Sequence, residues 1–168
     1  ENGRILRYDA RSLAYIDTFI NTGAGFNATG IAFGPDGDVY LGGYASDTVR
    51  RYDGTTGAFE ATVVAARAAG LNGPDNGLTF GPDGRLYIPA YDSNSVAVYD
   101  PASGTTSAFI APSSGGLSQT RGILFEANGN VLVSGEGSNA ILRYGPGGNF
   151  IGTFVTGLTG PTGLTRTA

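Results

Sequence analysis

The 168-residue sequence contains no cysteine, histidine, tryptophan or methionine, and these absences exclude several kinds of chemistry. Without histidine and cysteine there is no Ser-His-Asp triad, no cysteine nucleophile and no conventional zinc site. The absence of cysteine fits any redox compartment. Because methionine is absent, we expect a processed form, a fragment or part of a longer chain.

Charge and long apolar runs are also scarce. Charged residues make up 14% of the chain, and the formal net charge is −4. No basic patch is visible, so nucleic acid and anionic membrane surfaces are poor candidate partners. The longest apolar run is far too short to span a bilayer.

Glycine and apolar residues are what the sequence has in quantity. There are 29 glycines, and 40% of the residues are apolar. This composition is not that of a disordered chain, since aromatic and β-branched residues are plentiful. It favours a single domain of short strands joined by many tight turns.

One phrase of the sequence occurs three times. It is written GPDGDVYLGGYASDTVRRYD from Gly34, GPDGRLYIPAYDSNSVAVYD from Gly81 and EANGNVLVSGEGSNAILRYG from Glu126. The opening ENGRILRYD holds only the second half of the phrase. A period of 41 to 47 residues predicts propeller blades of four short antiparallel strands.

Four strands, called A to D in chain order, are predicted in each repeat. Strand A begins at Gly30, Gly77, Gly122 and Gly163. Strand B covers 38–41, 85–88 and 130–133. Strand C covers 4–8, 48–52, 95–99 and 140–144. Strand D covers 15–20, 59–64, 107–110 and 150–155. A single helical turn is indicated at 65–69, in the second D–A loop.

The turns between these strands have a chemical basis. In Gly-Pro-Asp-Gly at 34–37 and 81–84, Pro sets φ, Asp bonds its own backbone and the last Gly takes a positive φ. Asp47, Asn94 and Asn139 occupy one equivalent position before strand C, where we interpret them as turn residues.

The strand count predicts an all-β fold, a β-propeller of four-stranded antiparallel blades within one domain, 1–168. Three blades are complete, at 30–64, 77–110 and 122–155. The fourth is split, with strands C and D at 1–20 and the closing strand A at 163–168. The missing element is one strand B with its Gly-Pro-Asp-Gly turn.

The split blade leaves bare strand edges, which recruit strands from neighbours. Four closures stay open: a four-bladed ring of one chain, a ring of about eight blades from two chains, a head-to-tail filament, or part of a longer propeller. The residues expected at the joint are Ile5, Leu6, Arg7, Tyr8, Gly163, Leu164 and Thr165.

The segment NGLTFGPDGRLYI, followed by NSVAVYD, resembles the NHL/SMP-30/streptogramin-lyase-like group of β-propellers. The repeat RYDGTTGAF is similar to those of bacterial secreted propeller proteins. The resemblance implies an extracellular location and a ligand face formed by the D–A and B–C loops. Streptogramin-lyase activity is not expected, because it depends on a histidine, and the tryptophan motifs of quinone-dependent propellers are missing.

On that face, Asn76, Asp92 and Glu136 are candidate ligands of Ca²⁺ or Mg²⁺, because the DNGL motif resembles a metal-binding asparagine of SMP-30-type lactonases. The alternative is that Asn76 and Asp92 bond local backbone in turns. No other cofactor is expected.

Tyr44, Tyr91 and Arg121 are the candidate binding face. The tyrosines could stack on a sugar or a partner side chain, and Arg121 could hold a carboxylate or pair with Glu136. Four tyrosines that end strand C are interpreted as blade-to-blade packing with solvated hydroxyls: Tyr8, Tyr52, Tyr99 and Tyr144.

Two functions follow from these observations. The first is a non-catalytic extracellular module for structural assembly or partner binding, with the split blade as a self-association joint that makes a homo-oligomer or polymer. The second is a fragment of a Ca²⁺- or Mg²⁺-dependent hydrolase of the SMP-30 type. A glycan or another cell-surface polymer is a candidate partner of the first.

Overall fold

The computed structural model describes residues 3–165, and within them the regular structure is almost entirely β. The strands are β1 Arg4–Tyr8, β2 Tyr15–Asn21, β3 Ala28–Phe33, β4 Val39–Gly43, β5 Thr48–Tyr52, β6 Phe59–Val64, β7 Thr79–Phe80, β8 Leu86–Ala90, β9 Ser95–Asp100, β10 Thr105–Ile110, β11 Thr120–Phe125, β12 Val131–Gly135, β13 Ala140–Tyr144 and β14 Phe150–Val155. Two 3₁₀ turns occupy Ala68–Gly70 and Ser114–Gly116. Within these residues no helix is long and apolar enough to cross a bilayer.

The strands form four antiparallel sheets in which sequence neighbours pair. We call β1–β2 the half-blade, β3–β6 the first blade, β7–β10 the second blade and β11–β14 the third blade. This topology confirms the predicted propeller fold of four-stranded antiparallel blades. Within residues 3–165 the first two strands, β1 and β2, pair only with each other.

The predicted closing strand at the C-terminus is not formed in the residues that can be described. Gly163, Leu164 and Thr165 lie outside any strand, and residues 166–168 fall outside the described range. The segment nevertheless lies beside β11 and β12, where the hydroxyl of Ser134 in β12 donates to the Thr162 carbonyl oxygen at 2.9 Å. Within residues 3–165, strand A is formed where it pairs with a strand B, as in β3–β4, β7–β8 and β11–β12.

The core consists of apolar layers between successive blades. Strand residues alternate between the two sides of each blade, one facing the previous blade in the chain and one facing the next. In β4, for example, Val39 and Leu41 pack toward the half-blade, whereas Tyr40 packs toward the second blade. We call these the previous-facing and next-facing sides.

The tyrosines that end strand C are on the previous-facing side. Tyr52, Tyr99 and Tyr144 are buried between blades, which confirms the predicted packing. The Tyr144 hydroxyl was expected to be solvated, but it instead donates to the Ser114 carbonyl oxygen at 2.7 Å. Tyr8 has no preceding blade in the described residues and is 54% exposed.

The turn between strands A and B follows the predicted chemistry and adds one contact. Gly84 has a φ of +76°, and Asp83 Oδ1 accepts the Arg85 N–H at 3.1 Å. Asp83 Oδ2 also accepts the Tyr87 hydroxyl at 2.9 Å, and Asp36 accepts Tyr40 in the same way. Burial, followed by this hydrogen bond, raises the pKa of Tyr87 to about 12.

The D–A loops contain short 3₁₀ turns. The first begins three residues later than the predicted helical turn at 65–69, and its counterpart at Ser114–Gly116 was not predicted. Both turns are followed by a leucine, Leu71 or Leu117, that is buried between blades. The second turn is a Ser-Gly run without helical periodicity, so the sequence offered no signal for it.

We predict that Asp83→Ala lowers the free energy of unfolding by about 1–3 kcal/mol, because it removes the turn bond and leaves the buried Tyr87 hydroxyl without its acceptor. It also removes the exposed ion pair of Asp83 with Arg85, which contributes about 1 kcal/mol or less. Asn128→Ala is the matched control. Asn128 makes the same backbone bond to Asn130, but Leu132 replaces the tyrosine there. Urea unfolding of both variants measures the difference, and equal losses would contradict the role given to the tyrosine bond.

Candidate functional site

Strand A of the second blade contains one extra residue. The bridge Pro74–Ala90 corresponds to the pairs Ala28–Gly43 and Thr120–Gly135 in the other blades. Three residue steps lead from Pro74 to the strand-A glycine, Gly77, whereas two steps suffice in the other blades. Asp75 therefore takes the place of Thr29 and Arg121, and Asn76 is the inserted residue.

Asp75 and Arg121 form a buried ion pair between the second and third blades. Arg121 Nη1 lies 2.6 Å from Asp75 Oδ2, and the Asp75 side chain is only 3% exposed. Arg121 Nε lies 2.6 Å from Glu136 Oε2, which confirms the alternative in which Arg121 pairs with Glu136. Sequence reasoning missed Asp75, although the same DNGL motif contains it.

The two predicted tyrosines lie beside this ion pair. The guanidinium carbon of Arg121 is 4.5 Å from the centre of the Tyr91 ring, and the Tyr91 hydroxyl donates to Glu136 at 3.4 Å. The ring centres of Tyr44 and Tyr91 are 6.3 Å apart in an edge-to-face arrangement. The Tyr44 hydroxyl donates to Asp92 Oδ1 at 3.1 Å, and this hydrogen bond raises the pKa of Tyr44.

These groups line one open cavity of about 330 Å³. Its lining is Asn27, Thr29, Tyr44, Asp75, Tyr91 and Arg121. The three residues of the predicted binding face thus come to one place from three successive blades, Tyr44 and Tyr91 on B–C loops and Arg121 near the start of β11. Polar groups on aromatic walls are the usual composition of a ligand site, but binding itself stays a prediction.

The predicted metal ligands are placed differently. Asn76 lines a separate cavity of about 350 Å³ beside Gly122 and Thr162. Asp92 accepts the Tyr44 hydroxyl, and Glu136 accepts Arg121. The positive guanidinium of Arg121, between Asp75 and Glu136, opposes binding of a divalent cation beside Glu136. Metal binding by Asn76, Asp92 and Glu136 stays an untested prediction.

Another acidic group, not anticipated from the sequence, lies on the first blade. Within residues 3–165, Asp38, Asp53 and Glu60 bring carboxylate oxygens within 4.8 Å of one another. Arg51 Nε lies 2.7 Å from Glu60 and 3.6 Å from Asp38, and so compensates part of the negative charge.

The residues before strand C do more than shape a turn. Asp47, Asn94 and Asn139 all have a φ between +51° and +54°. Each side-chain oxygen also accepts a backbone N–H from the following D–A loop, at 2.7, 2.7 and 3.1 Å from Gly73, Gln119 and Gly160 respectively. We call these contacts the loop clips, and they hold the loops that carry Asp75 and Arg121.

Comparison with known proteins supports the fold and leaves the function open. No protein-family profile and no curated protein matches the chain. Among solved structures, hydrazine synthase of Kuenenia stuttgartiensis is similar over 84% of this chain and 39% of its own, with a TM-score of 0.68 and 20% identity. Virginiamycin B lyase of Staphylococcus aureus is similar over 84% of this chain and 45% of its own, with a TM-score of 0.63 and 18% identity.

A third structure, described provisionally as a gluconolactonase, is similar over 94% of this chain and 58% of its own, with a TM-score of 0.68 and 20% identity. This chain thus spans between two fifths and three fifths of the length of these three proteins. At such low identity the likeness shows the fold alone. The particular repeat family indicated by the sequence stays a prediction.

We predict that Arg121→Gln lowers the free energy of unfolding by about 3–5 kcal/mol, because it leaves the buried carboxylate of Asp75 without its cationic partner and with only the Asn76 N–H as a donor. Arg143→Gln is the matched control. Its partner Glu126 is 23% exposed, so we expect a loss of about 1 kcal/mol or less. Adding Asp75→Asn to Arg121→Gln should recover part of the loss. Urea unfolding tests all three, and no recovery in the double variant would contradict the pairing.

We further predict that calorimetric titration with millimolar Ca²⁺ or Mg²⁺ gives no saturable heat, because Arg121 already neutralises charge beside Glu136. Saturable binding that is lost in Asp92→Asn would instead support the metal ligands suggested by the sequence. A variant at the other acidic group, Glu60→Gln, identifies any binding beside Arg51.

Proposed function

We propose that the chain is a non-catalytic propeller module that works in assembly, by stacking its two terminal blade faces against those of another copy. The observation that carries the proposal is a difference in burial. Side chains at equivalent repeat positions are buried between the blades and exposed at both ends of the array. The absence of histidine and cysteine supports a role without catalysis.

One terminal face is the previous-facing side of the half-blade. Tyr8 is 54% exposed there, whereas its equivalents Tyr52, Tyr99 and Tyr144 are no more than 6% exposed. Leu6 and Tyr15 are also exposed on the half-blade. A cavity of about 470 Å³ lined by Arg4, Leu6, Tyr8, Tyr15 and Thr18 opens on this face. It offers space for a large apolar side chain.

The other terminal face is the next-facing side of the third blade. Phe154 is 47% exposed, whereas its equivalent Phe109 packs against Tyr87 with ring centres 4.9 Å apart. Arg143 covers one side of the Phe154 ring at 4.4 Å. Arg7 stacks on Phe19 in the same manner at 4.3 Å in the half-blade.

The two faces suit one another because they are the two sides of one repeated junction. The half-blade of a second copy would stack on the third blade of the first copy, in the same way as neighbouring blades stack within one chain. This contact is heterologous, so it generates either a closed ring or a growing filament. Burying each large apolar side chain contributes about 1.5–3 kcal/mol, which favours a stable contact.

We place this module outside the cell, where glycans or other surface polymers are its candidate partners. The support is the resemblance of its RYDGTTGAF repeat to those of secreted propellers and its low content of charge. The cavity between Tyr44, Tyr91 and Arg121 is the surface on which such a partner would be expected.

Two variants that each remove one terminal face test the assembly. We expect Tyr8→Ser and Phe154→Ser each to reduce self-association in sedimentation velocity, because each loses an aromatic anchor. An equal mixture should form dimers through the one intact junction and nothing larger. Leu13→Ser is the control, because Leu13 is 77% exposed in the turn between β1 and β2 and does not line the cavity of the half-blade face, so it should associate like the unchanged chain.

The result that would overturn the proposal is a 17.1 kDa monomer of the unchanged chain at every concentration. Association that persists in the separate Tyr8→Ser and Phe154→Ser proteins would show that other surfaces make the contact, and would also overturn it.

A further inference from the structure

Arg50, in β5, is a half-buried arginine at a position where the other repeats have apolar residues. It is the third residue of strand C, and its equivalents are Leu6, Ala97 and Leu142. Ala97 and Leu142 are both 2% exposed and belong to the apolar layers between blades. The fold itself therefore does not require an arginine at this position.

The guanidinium of Arg50 is held in place but has no carboxylate partner within the described residues. Its central carbon lies 4.4 Å from the centre of the Phe26 ring, and its Nη1 donates to the Thr22 carbonyl oxygen at 3.1 Å. Five arginines of residues 3–165 stack on an aromatic ring in this way, and four of them also pair with an aspartate or a glutamate: Arg7, Arg85, Arg121 and Arg143. Arg50 is the fifth, and its Nε and Nη2 make no hydrogen bond with that part of the chain.

The edge formed by Nε and Nη2 binds a carboxylate in two other arginines of the chain. These two nitrogens of Arg7 donate to the two side-chain oxygens of Asp17 at 3.0 and 2.6 Å. Those of Arg143 donate to the two side-chain oxygens of Glu126, both at 2.9 Å. Paired bonds of this kind are the strong and geometrically specific way in which an arginine binds a carboxylate. Arg50 presents the same edge without a carboxylate of the described chain to occupy it.

Arg50 lines an open cavity of about 320 Å³ between β2 of the half-blade and strands β5 and β6 of the first blade. We call it the Arg50 cavity, and its other lining residues are Asn21, Thr22, Tyr52, Phe59 and Thr62. No acidic residue belongs to this lining. Glu60, next to Phe59 in β6, pairs with Arg51 at 2.7 Å, and strand alternation places it on the other side of the blade. The cavity therefore presents one positive charge, a volume within the usual range of ligand sites, and both aromatic and polar walls.

The Arg50 cavity is open because the loop that joins the half-blade to the first blade lacks a 3₁₀ turn. At the next two junctions the D–A loop forms such a turn, Ala68–Gly70 or Ser114–Gly116, which packs against strand D of the following blade. The loop at 22–27 forms none. The Tyr144 hydroxyl donates to a carbonyl oxygen of the second turn, whereas the equivalent Tyr52 lines the open cavity. In every complete blade strand B lies on the far side of strand C from strand D, so a cavity beside β2 does not depend on what precedes β1.

We propose that the Arg50 cavity binds the carboxylate of an acidic sugar, such as a uronate. Nε and Nη2 of Arg50 hold the two carboxylate oxygens, and the exposed ring of Phe59 covers one face of the sugar. The hydroxyl of Thr62 and the side-chain nitrogen of Asn21 remain for the sugar hydroxyls, because the Asn21 oxygen already accepts the Gly23 N–H at 3.1 Å. The net charge of −4 disfavours anions with several charges. This site is separate from both terminal faces, so the inference does not rest on the proposed assembly.

The test is a titration of the whole chain with glucuronate at low chloride, followed by NMR of the arginine Nε–H groups. We expect a saturable shift of the Arg50 signal, which is assigned by its loss in Arg50→Leu. This variant carries the residue of the equivalent Leu142, so it should fold and bind glucuronate at least tenfold more weakly. Arg143→Gln is the matched control, because Arg143 also stacks on a ring but is already paired with Glu126, and it should bind like the unchanged chain.

Three further ligands separate the two parts of the proposal. Glucose has the sugar without the carboxylate, acetate has the carboxylate without the sugar, and inorganic phosphate is an anion of different shape. We expect no saturable shift with glucose and at least tenfold weaker binding of acetate and phosphate.

The inference would be overturned by the absence of saturable glucuronate binding or by equal binding to Arg50→Leu and the unchanged chain. Acetate or phosphate that binds as tightly as glucuronate would show a general anion site and would also overturn it. If Arg50→Leu does not fold, Phe59→Ser takes its place, because Phe59 is 57% exposed and its loss leaves Arg50 unchanged. We expect Phe59→Ser to weaken glucuronate binding about tenfold, and unchanged binding would contradict the role given to the ring.

Discussion

The aromatic contact between strand B of one blade and strand A of the next is the interaction on which the rest of the structure depends. Tyr40 with Phe80, and Tyr87 with Phe125, form it at two successive junctions. The tyrosine is held at its far end by the aspartate of its own turn, so the ring has little freedom. The tyrosine of strand B therefore contacts both the turn of its own blade and strand A of the next blade. Phe33, at the equivalent position of the first blade, is 65% exposed within the described residues.

The predictable part of the fold is the part set by local chemistry. Strands B and C follow from their β-branched and aromatic residues and from turns such as Gly81 to Gly84, so their predicted bounds differ little from those observed. Strand A is less predictable, because its pairing depends on residues far along the chain. The extra residue at Asp75 and Asn76 precedes a β7 of only two residues, and residues 163–165 lie outside any strand.

The candidate site was predictable in its location but not in its chemistry. Loops of one face necessarily converge, so Tyr44, Tyr91 and Arg121 were found together as expected. Alignment of the repeats on the strand-A glycine could not detect an inserted residue, and it made Asn76 the equivalent of Arg121. The strand pairing in the structure shows that Asp75 is the equivalent residue. Whether Glu136 faces a metal ion or a guanidinium is decided by distances between blades, which no single repeat contains.

The loop clips have a consequence for how such an array can change. The second blade, for example, supplies the acceptor Asn94 to the loop that leads into the third blade and the N–H of Gly73 to Asp47 of the first blade. A duplicated repeat of this kind would contain both the acceptor and the loop N–H that hold it to its neighbours. If such a repeat were deleted, its two neighbours would still have the groups needed to bond to each other. The number of blades can then vary by whole units without any new junction, while residues on the loops diverge independently of the fold.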